Sequence, residues 1–173
     1  LLSCSAIAYG MGAGVSEDVF RGAAYLLKHY AGTLILDADG LNALAKYGKS
    51  EHEALFKNKK CAVVLTPHVK EFSRLTGESV EGVLRKGATL AKEFARKYGV
   101  TVLLKNAVSV ITDGRRTYFN ATGNSGQAKG GSGDVLAGVI AGLCACGASG
   151  VDGARLGAYL VGRAAELAAE KIG

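Results

Sequence analysis

Short apolar segments alternate with helical stripes along almost the whole chain, and this alternation limits the fold more than any other feature. Six segments have the length and composition of strands: Ala6–Tyr9, Thr33–Leu36, Cys61–Leu65, Thr101–Leu104, Val108–Thr112 and Arg116–Asn120. Apolar residues recur at helical spacing in the segments between and after them. We predict helices over Ser16–Tyr30, Leu41–Tyr47, Val69–Thr76, Val80–Tyr98, Asp134–Cys146 and Gly153–Ile172. Strands separated by helices predict an α/β fold, with a mostly parallel sheet and helices on both faces.

Glycine marks the ends of several of these elements. The chain has 25 glycines and a single proline. Gly48, Gly77 and Gly99 each follow a predicted helix, which predicts left-handed helix ends. Asp113-Gly114 separates two β-rich segments and predicts a hairpin. No repeat or linker interrupts the 173 residues, so we expect one domain over residues 1–173.

The charge balance favours an anionic partner. The formal net charge is +6, which suits either nucleic acid or a phosphorylated small molecule. The basic residues are scattered, and the densest cluster, Lys57–Lys60, is predicted to be a solvated link into a strand. Because the chain has no arginine-rich tail, zinc-finger spacing or interleaved aromatic and basic residues, no nucleic-acid partner is expected.

Cysteine usage and hydropathy indicate a cytoplasmic protein. The four cysteines form no metal signature, and we expect all of them to be reduced, buried and small. No apolar run is long enough for a membrane span, so no membrane partner is expected. The first eight residues lack the pattern of a signal peptide.

A glycine-rich loop, Gly123–Ser132, leads into the helix that starts at Asp134. Glycines let backbone N–H groups approach an anion, and the helix N-terminus favours negative charge, so phosphate is the expected guest. The loop has no lysine in the position that the Walker pattern requires, and no G-x-G-x-x-G sequence follows a strand. A carboxylate beside phosphate makes sense if Asp134 accepts a proton from an attacking hydroxyl. The alternative is an N-cap aspartate.

Three further motifs each follow a predicted strand, where α/β sheets bind ligands. Lys105 closes one strand and could meet a phosphate, or it could be a solvated strand end. His68 and Glu71 share one face of a helix start, either as ligand-binding residues or as an ordinary cap. Asp37 and Asp39 fail the calcium-loop pattern, but could orient a substrate or a hydrated metal ion.

Together these motifs resemble the nucleotide-dependent NAD(P)H-hydrate dehydratases, which have a ribokinase-like fold. The resemblance rests on residues 10–14, 36–44, 65–68 with Glu71-Phe72, 104–105 and the loop into 131–138, in order along the whole chain. It implies a reaction in which ADP or ATP drives removal of the hydroxyl from hydrated NADH or NADPH. The hydroxyl is phosphorylated and then lost as phosphate, which restores the reduced cofactor; ADP is the expected co-substrate and Mg²⁺ a candidate companion.

The resemblance also implies roles for individual residues. Asp134 corresponds to the catalytic aspartate, which also contacts the substrate. Gly12 and His68, with Glu71 beside it, correspond to the hydrate-binding positions. The nucleotide-binding positions correspond to Lys105, Asn106, Ala107, Val108, Ser109, Gly130, Gly131 and Gly133.

The chain departs from the family pattern in two respects. Asn106 stands where glycine is usual, and Lys129 adds a charge beside the anion loop. The family's domain also begins well before the Gly10 turn and continues after Gly173. We therefore expect the N-terminal part and the final segment of the domain to be missing here, and a homo-oligomer or a second chain to supply the absent strands.

Two other functions remain open from the sequence. A kinase of the same superfamily would phosphorylate a vitamin-precursor alcohol, use Asp134 as the base and release the phosphorylated product. A non-catalytic nucleotide-binding fragment would keep the anion loop and lose the reaction. The motifs at 37–44 and 66–68 favour hydrate repair.

Overall fold

A six-stranded sheet forms the centre of the molecule. The computed structural model describes residues 2–48, 50–127 and 129–172. The second chain expected from the sequence would lie beside Leu1 and its neighbours, and Leu1 itself is outside the described residues. The strands are β1 (Ala6–Tyr9), β2 (Thr33–Leu36), β3 (Ala62–Leu65), β4 (Thr101–Leu104), β5 (Ser109–Thr112) and β6 (Thr117–Asn120). They lie in sequence order, β1 to β4 parallel, with β5 antiparallel to both β4 and β6. The predicted, mostly parallel sheet is confirmed.

Helices cover both faces of the sheet. They are α1 (Glu17–His29), α2 (Ala38–Tyr47), α3 (His52–Lys57), α4 (Val69–Thr76), α5 (Val80–Tyr98), α6 (Ser132–Ala145) and α7 (Gly150–Ile172), with a short 3-10 helix at Ser125–Gln127. The first five helices pack on one face, and α6 and α7 pack on the other. Strand alternation divides the core accordingly: Leu34 and Leu36 face the first layer, while Ile35 faces α6 and α7.

The hairpin and two of the three glycine helix ends are as predicted. β5 and β6 pair on either side of Asp113-Gly114. Gly77 and Gly99 end α4 and α5 in the left-handed region, with φ of 81° and 59°. The same prediction was wrong for Gly48, whose φ is −104°; its N–H caps α2 without a left-handed turn.

Helix α6 begins at Ser132 instead of Asp134, and α7 begins at Gly150 instead of Gly153. Helices α2 and α3 also differ from the sequence-based prediction. α2 begins at Ala38 instead of Leu41, because the Asp37 side chain accepts a hydrogen bond from the Ala38 N–H and caps the helix. α3 was not predicted at all. No side chain caps its first turn, and His52 and Phe56 instead pack against rings of α5.

The cysteines are only partly as expected. Cys61 and Cys144 are buried, and burial raises the pKa of both thiols. Cys4 and Cys146 are free but exposed, so the expectation of burial was wrong for these two. Cys146 is the C-cap residue of α6, so it lies after the last helical turn and outside the buried face of the helix. None of the helices in residues 2–48, 50–127 and 129–172 combines the length and apolarity that a membrane crossing needs.

The basic cluster before β3 is also more ordered than predicted. Lys59 was expected to be part of a solvated link. Its Nζ instead donates to the carbonyl oxygens of Phe56 and Tyr98, at 3.2 and 3.0 Å. The lysine therefore neutralises the carboxyl ends of α3 and α5, where a cation is favourable.

Candidate active site

The loops after β1, β2, β3 and β4 are joined at one edge of the sheet. The Asp37 N–H donates to the Tyr9 carbonyl at 3.2 Å, and the Thr66 N–H donates to the Leu36 carbonyl at 3.1 Å. The Lys105 N–H donates to the Pro67 carbonyl at 2.8 Å. Since the carboxyl ends of these strands meet here, the edge brings the predicted motifs into one site.

A buried ion pair lies at the centre of this edge. Lys105 Nζ donates to Asp37 Oδ1 at 2.8 Å, and their side chains are 22% and 2% exposed. A Cβ added at Gly133 would lie 3.4 Å from both Asp37 Oδ2 and Lys105 Nζ. The prediction that Lys105 is a solvated strand end was therefore wrong. Its ammonium group is held against the start of α6, where a phosphate would meet it.

The start of α6 offers free backbone donors. Gly131 is its N-cap, with a left-handed φ of 90° and no side-chain cap. In the described part of the chain, the N–H groups of Gly133 and Asp134 have no acceptor. Gly130 and Gly131 leave open space where a Cβ would be. These donors can bind an anion, as the sequence predicted.

Asp134 lies in the first turn of α6 and is exposed. The alternative reading of Asp134 as the N-cap was wrong, because Gly131 occupies that position. A carboxylate one residue beyond Gly133 points from the helix start into solvent rather than capping its own helix. It is therefore available to a hydroxyl that approaches the same anion.

His68 and Glu71 form a capping box at the start of α4. His68 Nδ1 accepts from the N–H groups of Lys70 and Glu71, at 3.0 and 3.2 Å. Glu71 Oε2 accepts from the His68 N–H at 2.8 Å, while Oε1 lies 3.4 Å from His68 Nε2. The ordinary cap is thus present. Because an accepting Nδ1 carries no proton, the neutral ring has its proton on Nε2.

The two residues differ in what they can offer a ligand. Glu71 is 5% exposed and both its oxygens face His68, so its role is to orient the imidazole. The His68 side chain is 47% exposed, and a parallel bridge places His68 beside Lys105. The ring is therefore accessible to a ligand, on a residue whose backbone lies beside that of Lys105.

The glycine turn after β1 closes the site on another side. A Cβ at Gly10 would lie 2.4 Å from the Asp37 carbonyl oxygen, so only glycine fits there. The Gly14 N–H donates to Asp39 Oδ2 at 2.8 Å, which fixes the turn to α2. Gly12 is exposed and has open space around its Cα. Asp39 thus has a structural partner, and Gly12 is accessible to a ligand.

A cavity of about 550 Å³ lies beside the segment that follows Lys105. Asn106, Ala107 and Ser109 line one side of it, whereas Val108 is exposed but lies outside the lining. The other walls come from the loop after β6, from Leu136 of α6, and from Ala158 and Val161 of α7. Polar loop atoms and an apolar floor suit a nucleobase and its ribose.

The first half of the glycine-rich loop is fixed to α7. The Gly123 N–H donates to Glu166 Oε1 at 2.7 Å, and Asn124 Nδ2 donates to the Ala165 carbonyl at 2.9 Å. The Gly123 N–H and the neighbouring Arg163 guanidinium hold the pKa of the Glu166 carboxyl below its usual range. One wall of the cavity is therefore rigid, while Gly130 and Gly131 stay open.

No protein-held metal site accompanies these groups. Nowhere in the described ranges do three His, Cys, Asp or Glu side chains come close enough together to hold a metal ion. Asp37 is engaged by Lys105, and Asp39 is engaged by Gly14. A Mg²⁺ ion would thus take most of its ligands from nucleotide phosphates and water.

One member of the site was missed from the sequence. Asp37 was recognised only as one of a pair of strand-end aspartates, yet it is 1% exposed and holds Lys105. Its partner lies 68 residues away along the chain, so no local pattern shows the contact. The available signal was a charged residue directly after a fully apolar strand, which indicates a buried carboxylate that needs a cation.

Comparison with known proteins shows the family of the chain. A family model described as NAD(P)H-hydrate dehydratase matches residues 1–173. The chain belongs to the NAD(P)H-hydrate dehydratase family. It is 41% identical over 172 residues to the bifunctional NAD(P)H-hydrate repair enzyme of Thermofilum pendens, with 99% of this chain and 32% of that enzyme covered.

Solved structures of relatives have the same fold. The ADP/ATP-dependent NAD(P)H-hydrate dehydratase of Bacillus subtilis, co-crystallised with ATP and Mg²⁺, matches with a TM-score of 0.82 at 36% identity. That match covers 96% of this chain and 56% of the other. A ribokinase-like superfamily protein from Enterococcus faecalis matches with a TM-score of 0.80 at 25% identity, covering 98% of this chain and 57% of its own. The predicted family and the ribokinase-like fold are confirmed.

The chain matches only part of the length of each relative. The chain spans about a third of the length of the Thermofilum repair enzyme and little more than half of the two structures. The comparisons therefore show the family and the fold. They do not show that this chain has the activity of the whole enzyme.

Proposed function

We propose that this chain catalyses the nucleotide-dependent dehydration of hydrated NADH and NADPH, which restores the reduced cofactors. One observation carries the proposal: the Lys105 ammonium and two free N–H groups of α6 meet beside an exposed carboxylate, Asp134. Such a site binds a phosphate and offers a base to the hydroxyl that attacks it.

The first step is transfer of a phosphoryl group. The hydroxyl of the hydrate attacks the terminal phosphorus of ADP or ATP, its proton passes to Asp134, and the bond to the leaving nucleotide breaks. The N–H groups of Gly133 and Asp134 and the Lys105 ammonium stabilise the charge on the transferred phosphate.

The second step is loss of phosphate. The ring nitrogen donates its electron pair, the carbon–oxygen bond breaks, and phosphate leaves with that bond's electrons. The neighbouring ring carbon then gives a proton to the departed phosphate or to water, which restores the double bond of the reduced nicotinamide. His68 and Gly12 would hold the hydrated ring over Asp134, with Glu71 fixing the His68 ring.

The nucleotide has a place at the site that fits its chemistry. We assign the base and ribose to the cavity lined by Asn106, Ala107 and Ser109, and the phosphates to Gly130, Gly131 and Gly133. Lys105 then bridges the two regions. ADP is the proposed co-substrate, and Mg²⁺ would accompany its phosphates.

The proposal also extends to assembly and location. We propose a homo-oligomer, or a second chain that pairs with the edge strand β1, which bonds only to β2 in the described sheet. The four free cysteines support a reducing compartment, and the proposed location is the cytoplasm.

The test is recovery of the reduced ring. Purified protein is mixed with NADH hydrate, alone and with ADP or ATP, and the absorbance of reduced nicotinamide is followed. We expect recovery only when a nucleotide is present. Consumption of nucleotide with a vitamin-precursor alcohol and none with either hydrate would favour a small-molecule kinase, and nucleotide binding without any turnover would favour a non-catalytic module.

A further inference from the structure

A second basic surface lies next to the site and has no role in the reaction described above. The α2–α4 groove is lined by Val15, Asn42, Ala45, Lys46 and Arg74 and encloses about 560 Å³. It combines two cations and an amide with an exposed apolar wall, since Val15 is 41% exposed. This composition suits a ligand that carries both an anion and an apolar part.

Both cations of the groove lack an acidic partner. Arg74 Nη1 donates to the Asn42 Oδ1 atom at 2.9 Å, and Lys46 lies over the Tyr47 ring at 4.9 Å. Across residues 2–48, 50–127 and 129–172, neither side chain forms an ion pair with a carboxylate. By contrast, Arg21 and Arg85 each pair with a glutamate on their own helix. The groove therefore keeps its positive charge for a ligand.

The groove is formed by the two helices that begin at the candidate active site. His68 caps α4, and Arg74 follows it by six residues, about 9 Å along the helix. Asp37 caps α2, and Lys46 follows it by nine residues, about 14 Å along that helix. The turn that carries Gly12 ends at Val15, and the Gly14 N–H ties it to Asp39 of α2. The two cations of the groove thus lie about 9 and 14 Å along helices that begin at the site, within the length of a dinucleotide held at Gly12 and His68.

We infer that the α2–α4 groove binds a phosphate group in the ADP-ribose half of the hydrated dinucleotide. This inference rests on the proposed function for the identity of its ligand. Arginine matches the geometry of phosphate oxygens with two donors, and lysine adds a point charge. Two sources carry this chemistry: the pyrophosphate, present in both hydrates, and the 2′-phosphate, present only in hydrated NADPH.

The test compares two double variants. Lys46→Gln/Arg74→Gln removes both charges from the groove, and Arg85→Gln/Lys92→Gln removes two exposed charges from α5 as a matched control. KM is measured for each hydrate at saturating nucleotide. Binding of ADP-ribose and of its 2′-phosphate is measured by calorimetry with excess ADP filling the nucleotide cavity.

Loss of the charged contacts is expected to raise the relevant KM about tenfold or more, with kcat little changed. A rise for the NADPH hydrate alone identifies the 2′-phosphate, and a rise for both hydrates identifies the pyrophosphate. Equal binding of both probes by the groove variant and the control, or no binding by the unaltered protein, overturns the inference. If the unaltered protein turns over neither hydrate, the proposed function fails, while the calorimetry still decides whether the groove binds phosphate.

Discussion

At the residue scale, Lys105 pairs with a buried carboxylate, and in the proposed function it also meets a phosphate. Asp37 is almost fully buried and needs a cation, whereas Lys105 remains partly open toward Gly133. A buried ion pair adds little stability compared with apolar residues in the same place. Removing one partner, however, leaves the other charge buried and unpaired. The pair therefore fixes the position of the ammonium group at the cost of making Asp37 dependent on it.

Lys105→Met is expected to destabilise the protein and weaken nucleotide binding. It leaves the Asp37 carboxylate unpaired, and for a pair with one partly exposed member we expect a loss of about 3 kcal/mol. Adding Asp37→Asn removes that charge and should recover most of the stability, but not the affinity for ADP. Unfolding in denaturant and calorimetry separate the two effects. Recovery of both by the double variant would mean that Lys105 does not contact the nucleotide.

Asp134→Asn is expected to abolish turnover while nucleotide binding is kept or tightened. The amide cannot accept the hydroxyl proton, and loss of a general base costs roughly 10² to 10⁴ in rate. It also removes a negative charge beside the phosphates. Single-turnover kinetics and ADP binding are measured on the same preparation, and a folded variant with near-normal turnover contradicts the assignment.

His68→Asn separates the capping role of His68 from its proposed contact with the hydrate. An asparagine oxygen can accept from the first-turn N–H groups as Nδ1 does, so stability should stay within about 0.5 kcal/mol. His68→Ala removes the cap as well and should cost about 1 kcal/mol. KM for the hydrate is expected to rise in both variants. An unchanged KM in His68→Asn would mean that His68 only caps α4 and does not contact the hydrate.

At the scale of elements, the start of α6 depends on glycine for two different reasons. Gly131 needs a left-handed backbone, with φ of 90°. A Cβ at Gly133 would be tolerated, 3.4 Å from Asp37 Oδ2 and Lys105 Nζ, but it would occupy the space next to the free N–H groups. Gly130 has open space and no such backbone requirement. The three positions therefore predict three different outcomes for the same substitution.

Gly131→Ala should lose about 1 to 2 kcal/mol of stability from left-handed strain. Gly133→Ala should keep or gain stability, since alanine favours a helix by up to about 1 kcal/mol, yet bind ADP more weakly because the methyl group covers the free N–H groups. Gly130→Ala adds a methyl group in open space, so stability should be unchanged and any weaker ADP binding reports the proposed phosphate contact of Gly130. Thermal unfolding measures the stability of all three variants, and calorimetry measures their affinity for ADP. Unchanged ADP affinity in Gly133→Ala would show that the phosphates do not bind at this helix start.

The elements that the sequence predicts well are those with local signals. Strand alternation, the Asp113-Gly114 turn and the glycines after α4 and α5 all act within a few residues. α3 lacks a capping side chain and depends on rings of α5 more than 35 residues away, so only the tertiary structure reveals it. The start of α2 was misplaced because Ala38 has a positive φ of 49°, which sequence patterns do not favour.

The same limit applies to the site. The motifs were expected at the carboxyl edge because topology sends every strand end there. The contacts between them, such as that of Lys105 with Asp37, join residues far apart in sequence and depend on side-chain packing. The motifs were thus predictable, and the pairing of their side chains was not.

At the scale of the whole molecule, two surfaces favour association. β1 bonds to β2 alone in the described sheet, and α6 and α7 expose large apolar side chains, including Val135 at 59% and Leu160 at 48%. An open edge and an apolar helix face both invite a partner. We expect light scattering of the purified 173-residue chain to give a mass above that of the monomer. A soluble monomer with full dehydratase activity would contradict this expectation.

The coupling between cofactor repair and phosphate release tests the central claim most directly. NADH and inorganic phosphate are measured together in one reaction that contains protein, NADH hydrate and ADP. If the hydroxyl leaves as phosphate, one phosphate appears for each NADH restored, and neither forms when the nucleotide is absent. Nucleotide-independent recovery of NADH, or a phosphorylated product that accumulates without phosphate release, would contradict the account.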